Sequence, residues 1–442
     1  MRSALRSVID LVLGRVAQVL VLAFHRRVDV VHRDRLRIDG PTIIVANHGN
    51  GFVDPAVVAA ALRRVPRFVA KSTLWNVVIS RPFLALAGVI PVYRAIDGGD
   101  TGGNASTFRA VHRVLARGGT VAIFPEGTSS DRPSLEKVRT GAARMALGAV
   151  DDTPDVTILP IGLSFESHVD IRPAAAMFVG DPIPVDAWRR SSGHLQAGEE
   201  DHDAVRDLTE TIQDQLAAVS PDFDSLDERL LLRAAAEVTS RDMGTRLEPT
   251  FGTVESLARR LAAAPEAGRE RVLAAYREYA TRLSLIGLRD ADLENRNQLR
   301  RLLRPAVSGG ILFLSGPLLF TLVVLHLPAI AVVFAATSAA RNPVNKGSAR
   351  LLVGLATGVV TWAATGVVLA DGLWAWVTAI SVAVGGAVGL ATIAPLYTLL
   401  RRLIGRARTF GRRQLAEDSR DDREQLVAAV VDVAGAPVEG LH

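Results

Sequence analysis

A histidine and an aspartate stand close together after an apolar run. Ile43–Ala46 leads into Asn47 and His48, and Asp54 follows six positions after His48, past a loop with two glycines. A carboxylate on one ring nitrogen of a histidine fixes its tautomer and stabilises the imidazolium, so the other nitrogen can take a proton from an alcohol. The loop is long enough for Asp54 to reach back to His48. The pair predicts a general base, and the alternative is a surface histidine beside a helix-capping aspartate.

A second apolar run ends in a cation. Gly88–Tyr93 reads as a strand and is followed directly by Arg94. The guanidinium is planar and carries a fork of donors, which suits bidentate capture of a phosphate group. Arg94 at a strand end is therefore a candidate phosphate ligand, and an ordinary surface arginine is the alternative.

A third apolar run delivers a carboxylate to a turn. Val121–Phe124 leads through a proline into Glu126, Gly127 and Thr128. Glu126 can accept hydrogen bonds from a polyol, and the backbone N–H groups of the next two residues can meet an anion. Arg139 stands downstream where a helix opens, and the first N–H groups of a helix favour phosphate. The alternative is a polar surface turn that binds nothing.

These residues lie in a stretch, about 40 to 185, in which strands and helices alternate. This alternation predicts an α/β fold with a central, mostly parallel sheet flanked by helices. In such sheets the functional groups gather in loops at the ends of strands. The predicted strands are Thr42–Ala46, Arg67–Ala70, Val89–Tyr93, Thr120–Phe124, Val156–Gly162 and Ala175–Val179. The predicted helices between them include Thr107–Arg117 and Val138–Val150.

Four blocks in this stretch together resemble the glycerolipid acyltransferase superfamily, which includes glycerol-3-phosphate and 1-acylglycerol-3-phosphate (lysophosphatidate) acyltransferases. The blocks are Asn47-His48 with Asp54, Ile90-Pro91-Val92-Tyr93-Arg94, Phe124-Pro125-Glu126-Gly127, and the proline-centred strand Ile158–Gly162. The resemblance implies that His48 is the general base and Asp54 its partner. The acceptor-binding residues that it implies are Asn47, Arg94, Glu126 and Gly127, with contributions from Thr128 and Arg139.

The sequence departs from the common family pattern in the first block. Five residues separate His48 from Asp54, whereas the common pattern has four. This longer form resembles the eukaryotic-type glycerol-3-phosphate/dihydroxyacetone-phosphate acyltransferases, which also carry C-terminal membrane segments. Ser129 stands where the lysophosphatidate form usually has arginine. This difference weakens the interpretation as a second-acylation enzyme without excluding it.

The activity that the resemblance implies is transfer of an acyl group from acyl-CoA or acyl carrier protein to glycerol 3-phosphate or a related phosphorylated glycerol. His48 would deprotonate the acceptor hydroxyl, and backbone donors near Gly49–Gly51 or Gly162 would stabilise the oxyanion. No metal or other cofactor is needed. The chain has no cysteine, which excludes a thiolate nucleophile. The alternatives are acylation of lysophosphatidate or another lysophospholipid, and a catalytically inactive membrane lipid-binding protein.

Apolar residues make up 49% of the 442-residue chain and concentrate after residue 305. Leu351–Ala370 and Leu373–Leu400 are each long enough to span a bilayer. The earlier stretch, Ala306–Ala336, is predicted to enter and return near His326-Leu327-Pro328, and one tilted span is the alternative. Basic clusters flank all three stretches, so an even number of crossings in each block would leave every cluster on the cytoplasmic face. The net charge of +5 favours anionic partners, and the apolar segments favour the membrane over nucleic acid.

Five regions are predicted along the chain. Residues 1–38 hold an amphipathic helix in the membrane interface, because their uninterrupted apolar runs are far shorter than the roughly 20 residues of a span. The acyltransferase domain follows at 39–188, a helical appendage at 189–305, and transmembrane segments at 306–400. Residues 401–442 form a basic and then polar tail, expected to be poorly ordered after about 415. The expected location is the cell membrane, multi-pass or re-entrant, with the catalytic domain on the cytoplasmic face.

Overall fold

A computed structural model describes residues 2–36, 39–76, 81–94, 104–127, 132–167, 172–244, 249–287, 289–293, 324–339, 343–384 and 413–438. Thr128 and Ser129 lie outside these residues, as do most of the first predicted apolar stretch and the basic clusters on either side of 306–400. Two compact units divide the chain, one formed by residues 1–226 with the last three residues and one by residues 227–439.

The first unit is built on a sheet of eight described strands, and it confirms the predicted α/β fold. The strands are β1 Arg27–Val31, β2 Thr42–Ala46, β3 Arg67–Lys71, β4 Ile90–Val92, β5 Thr120–Ile123, β6 Thr157–Phe165, β7 Ala174–Val179 and β8 Ile183–Pro184. The order across the sheet is β1-β7-β6-β2-β5-β3-β4, with β8 beside β6. The pairs are parallel except for β6 with β7 and β6 with β8. All five residues of β2 are buried, as expected for a central strand covered on both faces.

Seven helices are described in the first unit before residue 226. They are α1 Arg2–Phe24, α2 Val53–Leu62, α3 Arg81–Ala87, α4 Asn104–Leu115, α5 Gly141–Val150, α6 Val185–Ser191 and α7 His202–Val219. Helices α4, α5 and α7 cover one face of the sheet, and the side chains between them form the main core. Ile43, Val121, Leu147 and Leu208 are fully buried there. This core fixes the strand ends from which the predicted catalytic loops depart.

Helix α7 belongs to the first unit, although the sequence analysis assigned residues 189–305 to a separate appendage. Its C-terminal end passes directly over β6 at Gly162. A Cβ atom placed on Gly162 would lie 1.7 Å from the carbonyl oxygen of Val219, so only glycine allows this approach. Gly162 also lies inside β6, between β2 and β7. The predicted oxyanion donor at Gly162 is therefore wrong, because the strand interior leaves no room for a thioester.

Helix α1 lies along the first unit, and two of its polar residues, Asp10 and Gln18, are turned toward the protein. Asp10 pairs with Arg67 of β3 (2.9 Å from Arg67 Nη1 to Asp10 Oδ1), and Gln18 donates to the carbonyl of Ala60 at 3.1 Å. The opposite side is exposed and carries Arg15 together with six large apolar residues, Val8, Leu11, Val12, Val16, Val19 and Leu22. We call these six residues the α1 stripe. The neighbouring strand β1 was missed by the sequence analysis, because a polar residue, Asp29, interrupts its short apolar pattern.

The second unit is helical in its described residues. Its helices are α8 Leu226–Met243, α9 Phe251–Ala262, α10 Glu266–Ile286, α11 Asp290–Leu293, α12 Val324–Ala339, α13 Pro343–Leu369, α14 Leu373–Val384 and α15 Arg413–Ala434. The poorly ordered tail predicted after 415 is wrong, because α15 packs against α10 and α9. Leu426 and Val430 are fully buried and stand four residues apart, on one face of the helix. Arg423 of α15 donates from Nε to Asp290 of α11 at 2.7 Å.

Helices α12, α13 and α14 carry the apolar segments. Trp362 Nε1 donates to His326 Nε2 at 3.0 Å, so α12 and α13 lie side by side. The turn predicted at His326–Pro328 is wrong, since these residues lie inside α12. The turn predicted at Asp371-Gly372 is present between α13 and α14, with Gly372 at φ +58°. Among the described residues, Arg6–Phe24 and Leu352–Leu369 are long and apolar enough to cross a membrane by length and composition.

Candidate active site

His48 and Asp54 meet at the carboxyl end of β2. Asp54 lies in the first turn of α2 and is fully buried, whereas the His48 side chain is 16% exposed. The His48 Nδ1 atom lies 2.8 Å from Asp54 Oδ2, which also accepts from the backbone N–H of Asn50 at 2.8 Å. His48 and Asp54 therefore form a hydrogen bond although five residues separate them, one more than in the common family pattern. A carboxylate only accepts, so Nδ1 carries the proton and Nε2 is left as the basic nitrogen.

The imidazole ring of His48 is held by an aromatic stack. Its centroid lies 4.2 Å from that of Phe124 at an interplanar angle of 20°, and Phe124 is in turn 6.3 Å from Phe68 of β3. Within the described part of the chain, Nε2 makes no hydrogen bond and is not enclosed. The ring is thus fixed in orientation while one nitrogen stays open to a reactant.

Glu126 follows β5 and is buried, with 5% of its surface exposed. Oε1 accepts from the backbone N–H of His48 at 2.7 Å, and Oε2 accepts from the backbone N–H of Glu136 at 3.3 Å. Burial raises the pKa of this carboxyl group to about 7, and the two backbone donors oppose the rise only in part. Both carboxylate oxygens therefore face the protein backbone.

Two guanidinium groups converge on the turn after Glu126. Arg94 Nη1 donates to the carbonyl oxygen of Gly127, and Arg139 Nε donates to the carbonyl oxygen of Glu126 at 3.1 Å. Gly127 has φ +73°, and a Cβ atom there would lie 2.8 Å from Arg139 Nε. Only glycine lets the arginine lie so close to this turn. The charges of the two guanidinium groups give this corner a positive character that suits an anion.

The other predicted site residues are placed differently. Both polar atoms of the Asn47 side chain bond to the peptide of Leu163: Nδ2 donates to its carbonyl oxygen at 3.0 Å, and Oδ1 accepts from its N–H at 2.6 Å. Asn47 thus extends the pairing of β2 with β6 by one step instead of facing a ligand. Thr128 lies outside the described residues, so its predicted role stays a prediction.

Sequence reasoning missed the groups that hold the histidine. The sequence predicts Phe124 as the last apolar residue of its strand and as part of a family block, and the Gly49–Gly51 backbone only as a source of oxyanion donors. The amide of Glu136 was not considered. The register of β2 with β5 pairs Val45 with Ile123, which brings the residues that follow the two strands side by side. Strand adjacency of this kind cannot be read from one sequence. Among the described residues, no cluster of three or more His, Asp or Glu side chains could hold a metal ion.

Comparisons with known proteins match the part of the chain that carries this geometry. The family model named Acyltransferase matches residues 27–164. Glycerol-3-phosphate O-acyltransferase 2 of Saccharomyces cerevisiae is 38% identical over 128 residues, which are 28% of this chain and 17% of the yeast protein. Glycerol-3-phosphate O-acyltransferase 1 of the same yeast is 32% identical over 141 residues, which are 31% of this chain and 18% of that protein. The chain thus matches less than a fifth of the length of each relative.

A search of solved structures found the 1-acyl-sn-glycerophosphate acyltransferase of Thermotoga maritima. The sequence identity is 16% and the TM-score is 0.32, over 44% of this chain and 70% of that chain.

Proposed function

We propose that this protein moves an acyl group from a thioester donor to a hydroxyl of glycerol 3-phosphate or a related phosphorylated glycerol. The proposal is supported by the match of residues 27–164 to the Acyltransferase family model and by their similarity to the yeast enzymes. Acyl-CoA or acyl carrier protein is the proposed donor. The observation that carries the proposal is the pair of His48 and Asp54, which leaves Nε2 open at the end of β2, while the turn with two guanidinium groups follows the adjacent strand β5.

The mechanism follows from the ring geometry. His48 Nε2 takes the proton of the acceptor hydroxyl while the hydroxyl oxygen attacks the thioester carbonyl carbon. The tetrahedral intermediate collapses with cleavage of the C–S bond, and the proton on His48 passes to the leaving thiolate. Asp54 holds the ring through Nδ1 and stabilises the imidazolium that forms between the two steps. No group of the protein is acylated, and no cofactor takes part in the proposed sequence.

The phosphate of the acceptor is proposed to bind at the Gly127 turn. Arg94 and Arg139 each donate to a backbone carbonyl there, which holds two guanidinium charges at the turn, where they would attract a phosphate. The first turn of α5 begins two residues after Arg139 and adds backbone N–H groups with a favourable dipole. For the oxyanion, the amides of Gly49 and Gly51 are the proposed donors, because that of Asn50 is taken by Asp54.

The α1 stripe is proposed to lie in the membrane surface. Its six exposed apolar side chains point away from the protein, while Asp10 and Gln18 on the other side bind β3 and α2. A helix attached along its length in this way presents its apolar face to a bilayer without crossing it. We further propose that the apolar helices α12–α14 insert in the membrane and that the first unit lies on the cytoplasmic side.

The proposal is tested with purified protein in detergent, a labelled acyl-CoA or acyl carrier protein, and one acceptor at a time. The acceptors are glycerol 3-phosphate, dihydroxyacetone phosphate and lysophosphatidate. Transfer to glycerol 3-phosphate or dihydroxyacetone phosphate is expected, and His48→Ala should remove it. His202→Ala is the matched control, because His202 is an exposed histidine in the same unit. Transfer that survives in His48→Ala, or no transfer from either donor, would refute the proposal.

A further inference from the structure

The carboxyl group of Glu126 connects two segments that are far apart in sequence. One oxygen accepts from the amide of His48, in the loop that carries the base. The other accepts from the amide of Glu136, in the loop that leads to Arg139. Residues 48 and 136 are thus joined through one side chain rather than through a strand or a helix.

The surroundings of Glu126 leave little room for a ligand. The residue is 5% exposed, and each oxygen already has a backbone donor. Hydrogen bonds offset part of the desolvation of a buried carboxyl group, and the two amides provide those hydrogen bonds here. Removal of the carboxylate would leave the buried amide of His48 without an acceptor, so the loop would have to move to find one.

We propose that Glu126 is a positioning residue, which holds the backbone of His48 at a fixed distance from the loop that carries Arg139. Glu126 then determines the position of the His48 imidazole relative to the bound acceptor and does not itself bind the acceptor. The proposal rests on the proposed function for its kinetic consequence, and it replaces the acceptor-binding role that the family resemblance implies for Glu126.

The two roles differ in their kinetics. A ligand of the acceptor contributes to binding, so its loss raises the acceptor KM with little change in kcat. A positioning residue acts through the base, and a displacement of about 1 Å at a catalytic group can cost about 10²-fold in rate. We therefore expect Glu126→Ala to lower kcat about 100-fold with the acceptor KM within threefold of the wild-type value.

A conservative variant separates positioning from a general loss of structure. In Glu126→Gln the amide oxygen can still accept from His48 N–H, whereas the amide nitrogen faces the weaker 3.3 Å contact at Glu136. Glu126→Gln is expected to keep kcat within tenfold of wild type and so to rescue most of the loss seen in Glu126→Ala. Glu210→Gln, an exposed glutamate on α7, serves as the control for loss of a carboxylate.

Hydrogen–deuterium exchange of the full-length protein in detergent gives a readout that does not need acyl transfer. Peptides containing the amides of His48 and Glu136 should exchange at least tenfold faster in Glu126→Ala than in wild type. In Glu126→Gln only the Glu136 peptide should change. Unchanged exchange at His48 in Glu126→Ala, or a rise in acceptor KM above tenfold with kcat intact, would overturn the proposal. If the wild-type protein transfers no acyl group, the proposed function fails, and the exchange result still decides the positioning role.

Discussion

Replacement of Asp54 by asparagine tests what the buried carboxylate contributes to the base. In the structure one oxygen, Oδ2, accepts from both His48 Nδ1 and Asn50 N–H. The other, Oδ1, is buried and has no hydrogen-bond partner within the described residues. An asparagine can therefore place its oxygen at the Oδ2 position and its NH₂ group at the Oδ1 position. Both hydrogen bonds and the histidine tautomer are then kept, and only the negative charge is lost.

The size of the effect follows from that lost charge. Two unit charges about 4 Å apart interact by about 4 kcal/mol at an effective dielectric constant of about 20. In the transition state the imidazolium of His48 would lose this stabilisation, and about 1.4 kcal/mol corresponds to a tenfold change in rate. Asp54→Asn is thus expected to lower kcat/KM about 10³-fold. Asp54→Ala, which also removes both hydrogen bonds, should lower it further.

The assay is single-turnover transfer of a labelled acyl group, with the unfolding temperature of each variant measured in the same detergent. Asp181→Asn is the control, since Asp181 is an exposed aspartate whose side chain is 71% accessible. A loss below tenfold in Asp54→Asn would refute the electrostatic role of the carboxylate. A loss as large as that of His48→Ala would show instead that the amide is reversed and that the tautomer is not kept.

Four further predictions follow from other contacts. Gly162→Ala should destabilise the first unit by at least about 3 kcal/mol in urea unfolding, because the new methyl group would overlap the Val219 carbonyl. The raised pKa of Glu126 means that the folded state keeps a proton that the unfolded state releases above its own pKa of 4.5. The contribution of Glu126 to stability should therefore be present in full below about pH 4.5 and decrease by about 3 kcal/mol as the pH rises to about 7, and Glu126→Gln should remove this part of the pH dependence. Leu426→Ala should cost the second unit about 2–5 kcal/mol, measured by thermal unfolding, since the side chain is fully buried. Val16→Glu should weaken co-sedimentation with lipid vesicles about tenfold, because burial of a valine alone is worth about 1.5 kcal/mol.

The strands of the sheet were predictable from the sequence where the run of apolar residues is uninterrupted. The bounds of β2, Thr42–Ala46, match the prediction. A short, uninterrupted run rich in β-branched residues favours a buried strand and is too short for a typical helix. The α/β class and helices α4 and α5 followed from the same kind of periodicity. Strand β1 did not, since a buried polar residue inside it, Asp29, is paired with Arg27 in a way that no pattern shows.

The candidate site was predictable at the level of residues but not of their roles. The loop length made the contact of His48 with Asp54 a reasonable expectation, and the structure brings the two together. The resemblance to the acyltransferase family implies that Asn47 and Glu126 face a ligand. Instead, Asn47 bonds to Leu163 and Glu126 to two backbone amides, because these partners come from strands and loops that become neighbours only in the folded sheet.

The return of α15 to the helical bundle has a consequence for the topology of the apolar helices. Asp290 of α11 and Arg423 of α15 are hydrogen bonded, so the chain leaves the bundle after residue 293 and is back in it by residue 423. The segment between these two residues, which contains α12–α14, therefore begins and ends at the same part of the bundle. If both ends of a segment lie on the same side of a bilayer, every crossing in one direction must be matched by a crossing back. The proposed insertion of α12–α14 in a membrane therefore requires an even number of crossings, which single crossings by these three helices alone would not give.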